Sequence, residues 1–466
     1  MRIVIFFLLL PFFSCATDYY VKIDGNDALS GRSDATAWAT LSKINSFAFS
    51  PGDNIYFKRG HTFRGVFIVS TSGNADSWIT YSAYGTGAKP KILGSKDMSS
   101  TNDWVLYSNH VWKTKSTIGD RRVSWKIDVG NLIFNNETGW GIKKETFEEL
   151  TAQGTYYLNT LVDTLYMYSA RNPGSFYTNI EVSGVYSENL ITAIGKNYFA
   201  ITNIDARYSG NNGIFISNCD HAIVDSCNIS WIGGWWFSYV SPKVGPGRMG
   251  NGVQIWETNS NITVSNNNIY QIYDAGVSPQ GNPTGFTQSN INIYQNYISY
   301  CYYSYELPMR SPNTFTNILF DNNTCVYTGY QWSQSQRSSS GDAENIRQII
   351  STGTISGCGI RNNIFSDDLI RHCQMDVTSG IVVDYNLIYN APAYKFKGTN
   401  YTSFEAWKMA SGVDKNSLNT NPLFVSVFDY RLKAGSPAIN AGIDIGRGAA
   451  PNIGAYSGAG VIGSGF

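Results

Sequence analysis

The chain has 466 residues, and its basic and acidic side chains are equal in number, so the formal net charge is zero. This balance argues against a nucleic-acid-binding protein, which would normally carry a basic excess. Charged residues make up only 15% of the chain while aromatic residues reach 14%, with 31 tyrosines, a composition typical of β-rich proteins that bind sugars.

The first 16 residues have the pattern of a secretory signal peptide. Arg2 supplies the positive charge, residues 3–13 form a short apolar run, and Ser14, Cys15 and Ala16 supply the small residues that favour cleavage. The run is too short to span a bilayer, and no other segment reaches about 18 apolar residues. We therefore expect export without a membrane span, to the periplasm or the cell exterior. A lipid anchor on Cys15 is the alternative, and it would make the protein an outer-membrane lipoprotein.

The region at about 103–183 interrupts an otherwise repetitive chain. It contains the short strand-like runs Gly154-Thr-Tyr-Tyr-Leu and Leu165-Tyr-Met-Tyr-Ser, followed by Asn172-Pro. Runs rich in tyrosine of this kind are typical of strands. The pattern predicts a β-rich subdomain inserted beside the coils, with a long decorated loop as the alternative.

The middle of the chain repeats the phrase N-I-x-(I/V) with a period of roughly 22 to 30 residues. Its copies lie at 198–218, 222–256, 261–278, 290–306, 315–325 and 359–365. Alternating apolar residues predict strands with one face inward, and the asparagines between them suit tight turns. Such coils bury their apolar faces only by stacking, so the repeat predicts an all-β solenoid. A leucine-rich repeat would need leucines at the periodic positions, and a β-sandwich would not explain the recurring phrase.

Both ends of the chain resemble pectate-lyase-like right-handed parallel β-helix proteins. The opening Tyr19-Tyr-Val-Lys-Ile-Asp-Gly-Asn-Asp and Pro51-Gly-Asp-Asn-Ile-Tyr-Phe carry the resemblance, as do Ser436-Pro-Ala-Ile-Asn-Ala-Gly and Asn452-Ile-Gly-Ala-Tyr at the far end. The resemblance implies one β-helix domain over 17–466 that acts on carbohydrate. It also implies that the insert resembles those of several β-helix glycoside hydrolases. The reaction stays open, because this superfamily holds lyases, hydrolases and epimerases.

The chemistry of such a solenoid is expected on the outward positions of one sheet. Side chains alternate along a strand, so inward Ile214, Val253 and Val277 predict outward neighbours in register. The alternation predicts one outward column of Phe215, Gln254, Ser278 and Glu306. It predicts a second column of Ser217, Trp256, Gln280 and Pro308.

Glycoside hydrolysis needs two carboxyl groups, one as acid and one as base or nucleophile. We predict Glu306 as the acid, with Asp274 as its partner and Asp342 as a substitute for either. The residues predicted to position the sugar are Gln254, Trp256, Gln280, Arg310, Trp332, Arg337, Arg347, Arg371 and His372.

These patterns favour a secreted or surface glycoside hydrolase that cleaves an extracellular polysaccharide or its oligosaccharides. A polysaccharide lyase acting on a uronic-acid polymer is the alternative, since arginines together with His372 would suit β-elimination. A non-catalytic glycan-binding protein is the third hypothesis. No cofactor and no metal site are expected, because the cysteines outside the leader form no CxxC pair and suit small buried positions.

Overall fold

The computed structural model describes residues 16–118, 128–184, 189–237, 247–282, 285–309, 312–337, 341–350, 353–446 and 452–455. Within these ranges, short parallel strands stack coil upon coil, and helices are few. The predicted all-β, right-handed parallel β-helix is confirmed.

The first sheet forms one face of the coils and consists of parallel strands. Its strands are Asp18–Val21, Asn54–Lys58, Ile79–Tyr84, Asn197–Thr202, Asp220–Asp225, Asn259–Ser265, Thr287–Tyr294, Thr314–Asp321, Thr354–Ser356, Cys358–Arg361 and Ile381–Asp384.

The second sheet bends around the coil and supplies the second and third faces. Two long strands, Asn268–Gln280 and Tyr297–Met309, run through both faces. The other strands of the second face are Thr62–Arg64, Lys91–Leu93, Asp205–Arg207, Asn228–Ile232, Thr324–Val326, Ile364–Ser366, Leu387–Tyr389 and Leu418–Asn419. Those of the third face are Phe67–Ile68, Ile191–Ile194, Ile214–Ser217, Val253–Trp256, Glu344–Ile350, Arg371–Met375, Tyr394–Phe396 and Thr399–Tyr401.

The interior of the coils is filled by the alternate apolar residues of each strand. Val253, Val277 and Leu307 belong to one continuous buried cluster that extends from Tyr19 to Val413. Each fully buried aliphatic side chain stabilises the fold by about 1.5–3 kcal/mol relative to its exposed state. Stacking therefore provides the apolar partner that a single coil lacks.

Asparagines make the corners between strands. Asn266, Asn322 and Asn362 have φ values of 54–55°, in the left-handed region. Asparagine is among the residues that tolerate this conformation, because its short side chain bonds locally. The prediction of asparagine turns at the joints is confirmed.

A ladder of buried asparagines runs up one edge of the coils. The Nδ2 of Asn267 donates to Oδ1 of Asn296 at 2.9 Å, and Asn296 donates to Asn323 at 3.0 Å. Asn323 continues to Asn363, and Asn363 continues to Asn386, each at 3.1 Å. Each rung thus satisfies a buried amide that would otherwise be costly to desolvate.

Two small sheets with mainly antiparallel pairing stand beside the early coils, where the sequence predicts an insert at about 103–183. Their strands run from Ser95 to Ser183 and enclose a separate apolar core around Phe134 and Leu165. The four-stranded sheet holds Ser95–Asp97, Leu132–Phe134, Gly139–Trp140 and Ile180–Ser183. The five-stranded sheet holds Trp104–Ser108, Val111–Thr114, Ile142–Lys143, Thr155–Asn159 and Thr164–Tyr168.

The remaining elements are short. The α-helices are Leu41–Ser46, Pro173–Phe176 and Phe404–Ser411, and the 3₁₀ turns are Asp34–Thr36, Thr101–Asp103, Phe147–Glu149 and Gln334–Gln336. Two hairpins pair Trp235–Phe237 with Gly247–Met249, and Phe424–Ser426 with Asp429–Leu432. The cysteines of the described part are all buried, as the sequence predicted, and the structure shows them as free thiols; they are Cys219, Cys227, Cys301, Cys325, Cys358 and Cys373.

Candidate active site

An outward column of side chains runs up the third face, with one residue from each coil. The strand register pairs Phe215 with Gln254 and Gln254 with Ser278. Val277 pairs with Tyr305 in the next coil, which sets the following residues, Ser278 and Glu306, beside each other. Neighbouring strands in such a sheet lie about 4.8 Å apart. The register confirms the predicted column.

The column continues into a charged region after Glu306. Arg347 is the register partner of Glu306 in the next coil, and Gln374 is the partner of Arg347 in the coil after that. Asp274 lies on the same strand as Ser278, just before it turns onto the third face. The structure therefore brings several of the predicted site residues onto one stretch of the third face.

Glu306 is the carboxyl group at the centre of this stretch. Its side chain is partly buried, and its Oε2 accepts a hydrogen bond from the Ser278 hydroxyl at 3.0 Å. Burial and the nearby negative charge of Asp274 raise the pKa of Glu306 to about 8, despite opposing effects of Ser278, Arg347 and Arg337. Such a group carries its proton at neutral pH, as a general acid must.

Asp274 has different surroundings, because a guanidinium lies against it. Arg337 Nη2 is 3.3 Å from Asp274 Oδ1. Burial raises the pKa of Asp274, while the charge and hydrogen bond of Arg337 oppose that rise. Since the two carboxyls interact, the first proton to leave the pair comes from the one beside the cation. We therefore assign Asp274 as the ionised member and Glu306 as the protonated one.

Arg337 is held between aromatic rings. Its guanidinium carbon lies 3.5 Å from the ring centroid of Tyr302 and 4.6 Å from that of Tyr273. Its Nη1 also donates to the backbone oxygen of Tyr273 at 2.6 Å. Arg248 forms a further cation–π contact with Tyr273, with its guanidinium carbon 4.8 Å from the ring centroid. This stack fixes the cation that accompanies Asp274.

A second group of ion pairs lies one coil further on. Arg347 Nη1 donates to Glu344 Oε1 at 2.6 Å, and Arg371 Nε lies 3.8 Å from Glu344 Oε2. Arg371 also pairs with Asp342 at 3.1 Å. Burial raises the pKa of Glu344 to about 7, while Arg347 and Arg371 oppose that rise. Asp342 therefore lies with Arg371 rather than beside Glu306.

Amide side chains form the other flank of Glu306. Gln280 Nε2 donates to Gln254 Oε1 at 2.9 Å, and Gln254 Nε2 donates to the backbone oxygen of Ser278 at 3.0 Å. Gln254 is buried, and its Oε1 also accepts from Asn251. The partly buried Trp256 is the register partner of Gln280. Trp256 and Gln280 are thus positioned to contact a ligand, and Gln254 supports them.

Besides Gln254, two further predicted sugar contacts are not at the surface. Trp332 is 1% exposed and packs against Tyr273. His372 is 1% exposed among the rings of Phe365 and Tyr394, and burial lowers its pKa to about 3. Buried rings offer no face for a sugar to stack on, so we retain neither as a substrate contact. Arg310 lies outside the described residues.

The insert contacts the Gln334–Gln336 turn, which lies directly before Arg337 in the chain. Gln336 Nε2 donates to the Gly141 oxygen at 3.1 Å, and Gln336 Oε1 accepts from the Lys143 backbone at 3.0 Å. Lys143 itself forms a buried ion pair with Asp128. The turn before Arg337 is therefore held by the insert.

Sequence reasoning gave no role to Glu344 or Tyr303. The register pairs these two residues, and the ring of Tyr303 lies under Arg347, 5.3 Å from its guanidinium carbon. Glu344 lies only two residues after the predicted Asp342, but the spacing between coils changes there. A repeat phrase of fixed period could therefore not align it with Glu306.

No cluster of three or more His, Cys, Asp or Glu side chains in the described part of the chain is arranged to hold a metal ion. Among the helices of that part, none is long and apolar enough to cross a bilayer.

Comparison with known sequences gives one partial relative. No protein-family model matches the chain. Lacto-N-biosidase from Bifidobacterium longum subsp. longum is 33% identical over 138 residues, which is 27% of this chain. The chain spans only 8% of the length of that curated relative.

Comparison with solved structures shows that the chain is similar in fold to β-helix enzymes. A protein described as a glycoside hydrolase has a TM-score of 0.53 at 10% identity, covering 82% of this chain and 95% of its own. The GH136 lacto-N-biosidase from Eubacterium ramulus has a TM-score of 0.48 at 13% identity, covering 82% of this chain and 57% of its own. This likeness shows the fold alone, and that fold is the parallel β-helix that the sequence resemblance predicted.

Proposed function

We propose that this protein is a glycoside hydrolase that cleaves an extracellular polysaccharide or its oligosaccharides. Glu306 acts as the general acid, and Asp274 is the ionised carboxylate that serves as base or nucleophile. The names of the partial relative and of the structural neighbours support carbohydrate-active chemistry in general. The assignment of hydrolysis rests on the site itself.

One observation carries the proposal, namely two interacting carboxyls in unlike surroundings. Glu306 is bonded to a neutral hydroxyl, whereas Asp274 is bonded to the guanidinium of Arg337. Environments that push two pKa values apart separate the acid from the base of a glycosidase. Glu306 then protonates the leaving oxygen while Asp274 stabilises or attacks the developing oxocarbenium centre, or activates water.

The charges around the site favour an uncharged sugar over a uronate. β-Elimination from a uronic-acid polymer calls for positive charge to neutralise the substrate carboxylate. Each described arginine of the cluster already has a carboxylate partner: Arg337 has Asp274, Arg347 has Glu344, and Arg371 has Asp342. A uronate would have to displace one of these partners. The lyase hypothesis therefore has the weaker support.

We also propose export for this protein. The pattern in residues 1–16 supports cleavage after Ala16 and release to the periplasm or the exterior. Attachment of a lipid at Cys15 is the alternative. The mass of the protein from its own host distinguishes these outcomes, because acyl chains add mass to the cleaved chain.

The experiment is a glycan panel with two readouts. The panel holds neutral polysaccharides, uronic-acid polymers and oligosaccharides that lacto-N-biosidases cleave. New reducing ends without the ultraviolet absorbance of an unsaturated uronate support hydrolysis. Reducing ends together with that absorbance would replace the proposal with elimination. Binding without either product would instead assign a glycan-binding protein. Glu306→Gln is the matched control, since any cleavage that survives it does not use this acid.

A further inference from the structure

Glu344 is a buried carboxylate that the proposed reaction does not use. Its side chain is 0% exposed, so it does not reach a substrate. It lies at the start of the Glu344–Ile350 strand, beside the strand that carries Glu306. A buried carboxylate is costly unless it is paired, and Glu344 is paired with two arginines.

Arg347 has a choice of two carboxyl partners. Arg347 is the register partner of Glu306, so it occupies the next position in the outward column. Neighbouring parallel strands are about 4.8 Å apart. Its Nη1 is nevertheless directed to Glu344 Oε1 at 2.6 Å and to Gln374 Oε1 at 3.1 Å. The hydrogen bond made to Glu306 comes from Ser278 instead.

We propose that Glu344 is a positioning residue: it holds the guanidinium of Arg347 toward Gln374 and so prevents an ion pair between Arg347 and Glu306. Without this partner, Arg347 would turn to the nearest remaining carboxyl in its column. An ion-paired Glu306 would be a carboxylate, and a carboxylate has no proton to give to a leaving group. This inference rests on the proposed function of Glu306 as the acid.

The other charged groups near these two carboxyls are accounted for. Glu306 faces Asp274 from the preceding coil, Arg337 from the end of the Gln334–Gln336 turn, and Arg347 from the following strand of the third face. Asp274 and Arg337 compensate each other at 3.3 Å. Arg347 is therefore the cation near Glu306 whose position depends on Glu344.

Charged and titratable side chains also surround Glu344. Arg347, Arg371 and Asp342 act on it electrostatically, and so does the buried carboxyl of Asp368. Its register partners are Tyr303 in the preceding coil and Arg371 in the following one. Arg371 remains bonded to Asp342 when Glu344 is neutralised, because that pair has its own contact at 3.1 Å. The effect of removing the Glu344 charge should therefore fall on Arg347.

The test is the substitution Glu344→Gln, with the pH profile of kcat/KM as the readout. In the parent, the alkaline limb of the profile reports Glu306 and is expected at about pH 8. A new cation beside Glu306 should lower this limb by about one pH unit or more. An active variant with an unshifted limb would overturn the proposal.

A double variant makes the test specific and guards against misfolding. Glu344→Gln combined with Arg347→Gln replaces the ion pair by two amides and leaves no buried charge from that pair uncompensated. The double variant should return the limb to the parent value or above, since no guanidinium is left to pair with Glu306. A limb that stays lowered would contradict the proposal. If the single variant does not fold, a lowered limb in the double variant still overturns the proposal.

Asp321→Asn is the matched control. Asp321 is a buried carboxylate paired with Arg361 at 2.7 Å, but it lies on the first sheet. Its substitution should lower stability without moving the alkaline limb of the pH profile. A shift equal to that of Glu344→Gln would show that the loss of any buried ion pair moves the limb, and it would contradict the proposal.

Titration of Glu306 by carbon-13 NMR gives a readout that needs no activity. It is followed in the parent and in the Glu344→Gln variant, with Glu306→Gln identifying the signal. A lowered midpoint in Glu344→Gln supports the positioning role, and an unchanged midpoint overturns it. If the protein cleaves no glycan, the proposed function is wrong, but the NMR midpoints of Glu306 still test the positioning role of Glu344.

Discussion

At the scale of single residues, the site is defined by how each carboxyl is solvated and paired. Glu306 has a hydroxyl partner and Asp274 a guanidinium partner, although the two carboxyls lie on neighbouring strands of adjacent coils. The difference in partners, rather than in residue type, assigns the roles of acid and base.

The first residue-scale prediction concerns Glu306→Gln. The amide keeps the shape and the hydrogen bond from Ser278, so the variant should fold and still bind glycan. It cannot donate an acidic proton, and kcat should fall at least about a hundredfold, the scale of general acid catalysis. Steady-state kinetics and circular dichroism check this. Near-full activity of a folded variant would remove Glu306 from the mechanism.

A second prediction concerns pH. Burial and Asp274 raise the pKa of Glu306 to about 8, so its protonated form persists through neutral pH. Because the acid must be protonated, kcat/KM should hold below that value and decline as pH rises through about 8. A profile that instead rises through this range would mean that the titrating group acts as a base.

Trp256 allows a third prediction, about binding rather than chemistry. Its ring is partly exposed beside Gln280 and is available to stack on the apolar face of a sugar. Loss of one aromatic contact costs about 0.5–1.5 kcal/mol, so Trp256→Ala should raise KM about two- to tenfold with kcat nearly unchanged. A large fall in kcat with KM unchanged would place Trp256 in the chemical step instead.

At the scale of elements, the asparagine ladder and the inward apolar residues hold the coils in register. Asn296 joins three coils, since its Nδ2 donates to Asn323 while its Oδ1 accepts from Asn267. It also bonds the backbone oxygen of Val264 at 2.8 Å. A one-residue slip would break these bonds and turn the apolar side chains outward.

Asn296→Ala tests the ladder. The substitution leaves buried partners without their hydrogen bonds, and each such group costs about 1–3 kcal/mol. The free energy of unfolding should fall by that amount or more, as measured by urea denaturation. Asn400→Ala, at an exposed position, is the control and should change stability by less than about 0.5 kcal/mol. Equal effects at the two positions would contradict a structural role for the ladder.

At the scale of the whole molecule, stacked coils stabilise the fold, and the described part of the chain holds no disulfide. The six cysteines of the described part are free, buried and spread along the coils. Burial raises the pKa of thiols such as Cys227, which makes them poor nucleophiles.

The matching prediction is a thiol count. The protein without residues 1–16 should react with a thiol reagent at six cysteines after denaturation and at almost none when folded. Reductant should leave the thermal midpoint unchanged. Fewer than six thiols in the denatured protein would reveal a disulfide.

The sequence by itself determined the solenoid. Inward residues recur at each coil because an isolated coil cannot bury its apolar face, and asparagine recurs at corners that need positive φ. These local requirements produce a periodic sequence pattern, which predicts the fold without a structure. The same periodicity predicted the outward column that leads to Glu306, and the register confirms it.

Only the tertiary structure decided which charged groups meet. Arg337 and Glu344 lie in stretches where the spacing between coils changes, so periodicity could not align them with Glu306. Nor could it tell that Trp332 and His372 are buried, since exposure depends on what packs from neighbouring coils and loops. Electrostatic partners are set by distances of a few ångströms between coils. A repeat specifies which face a side chain occupies, and packing specifies which partner it meets there.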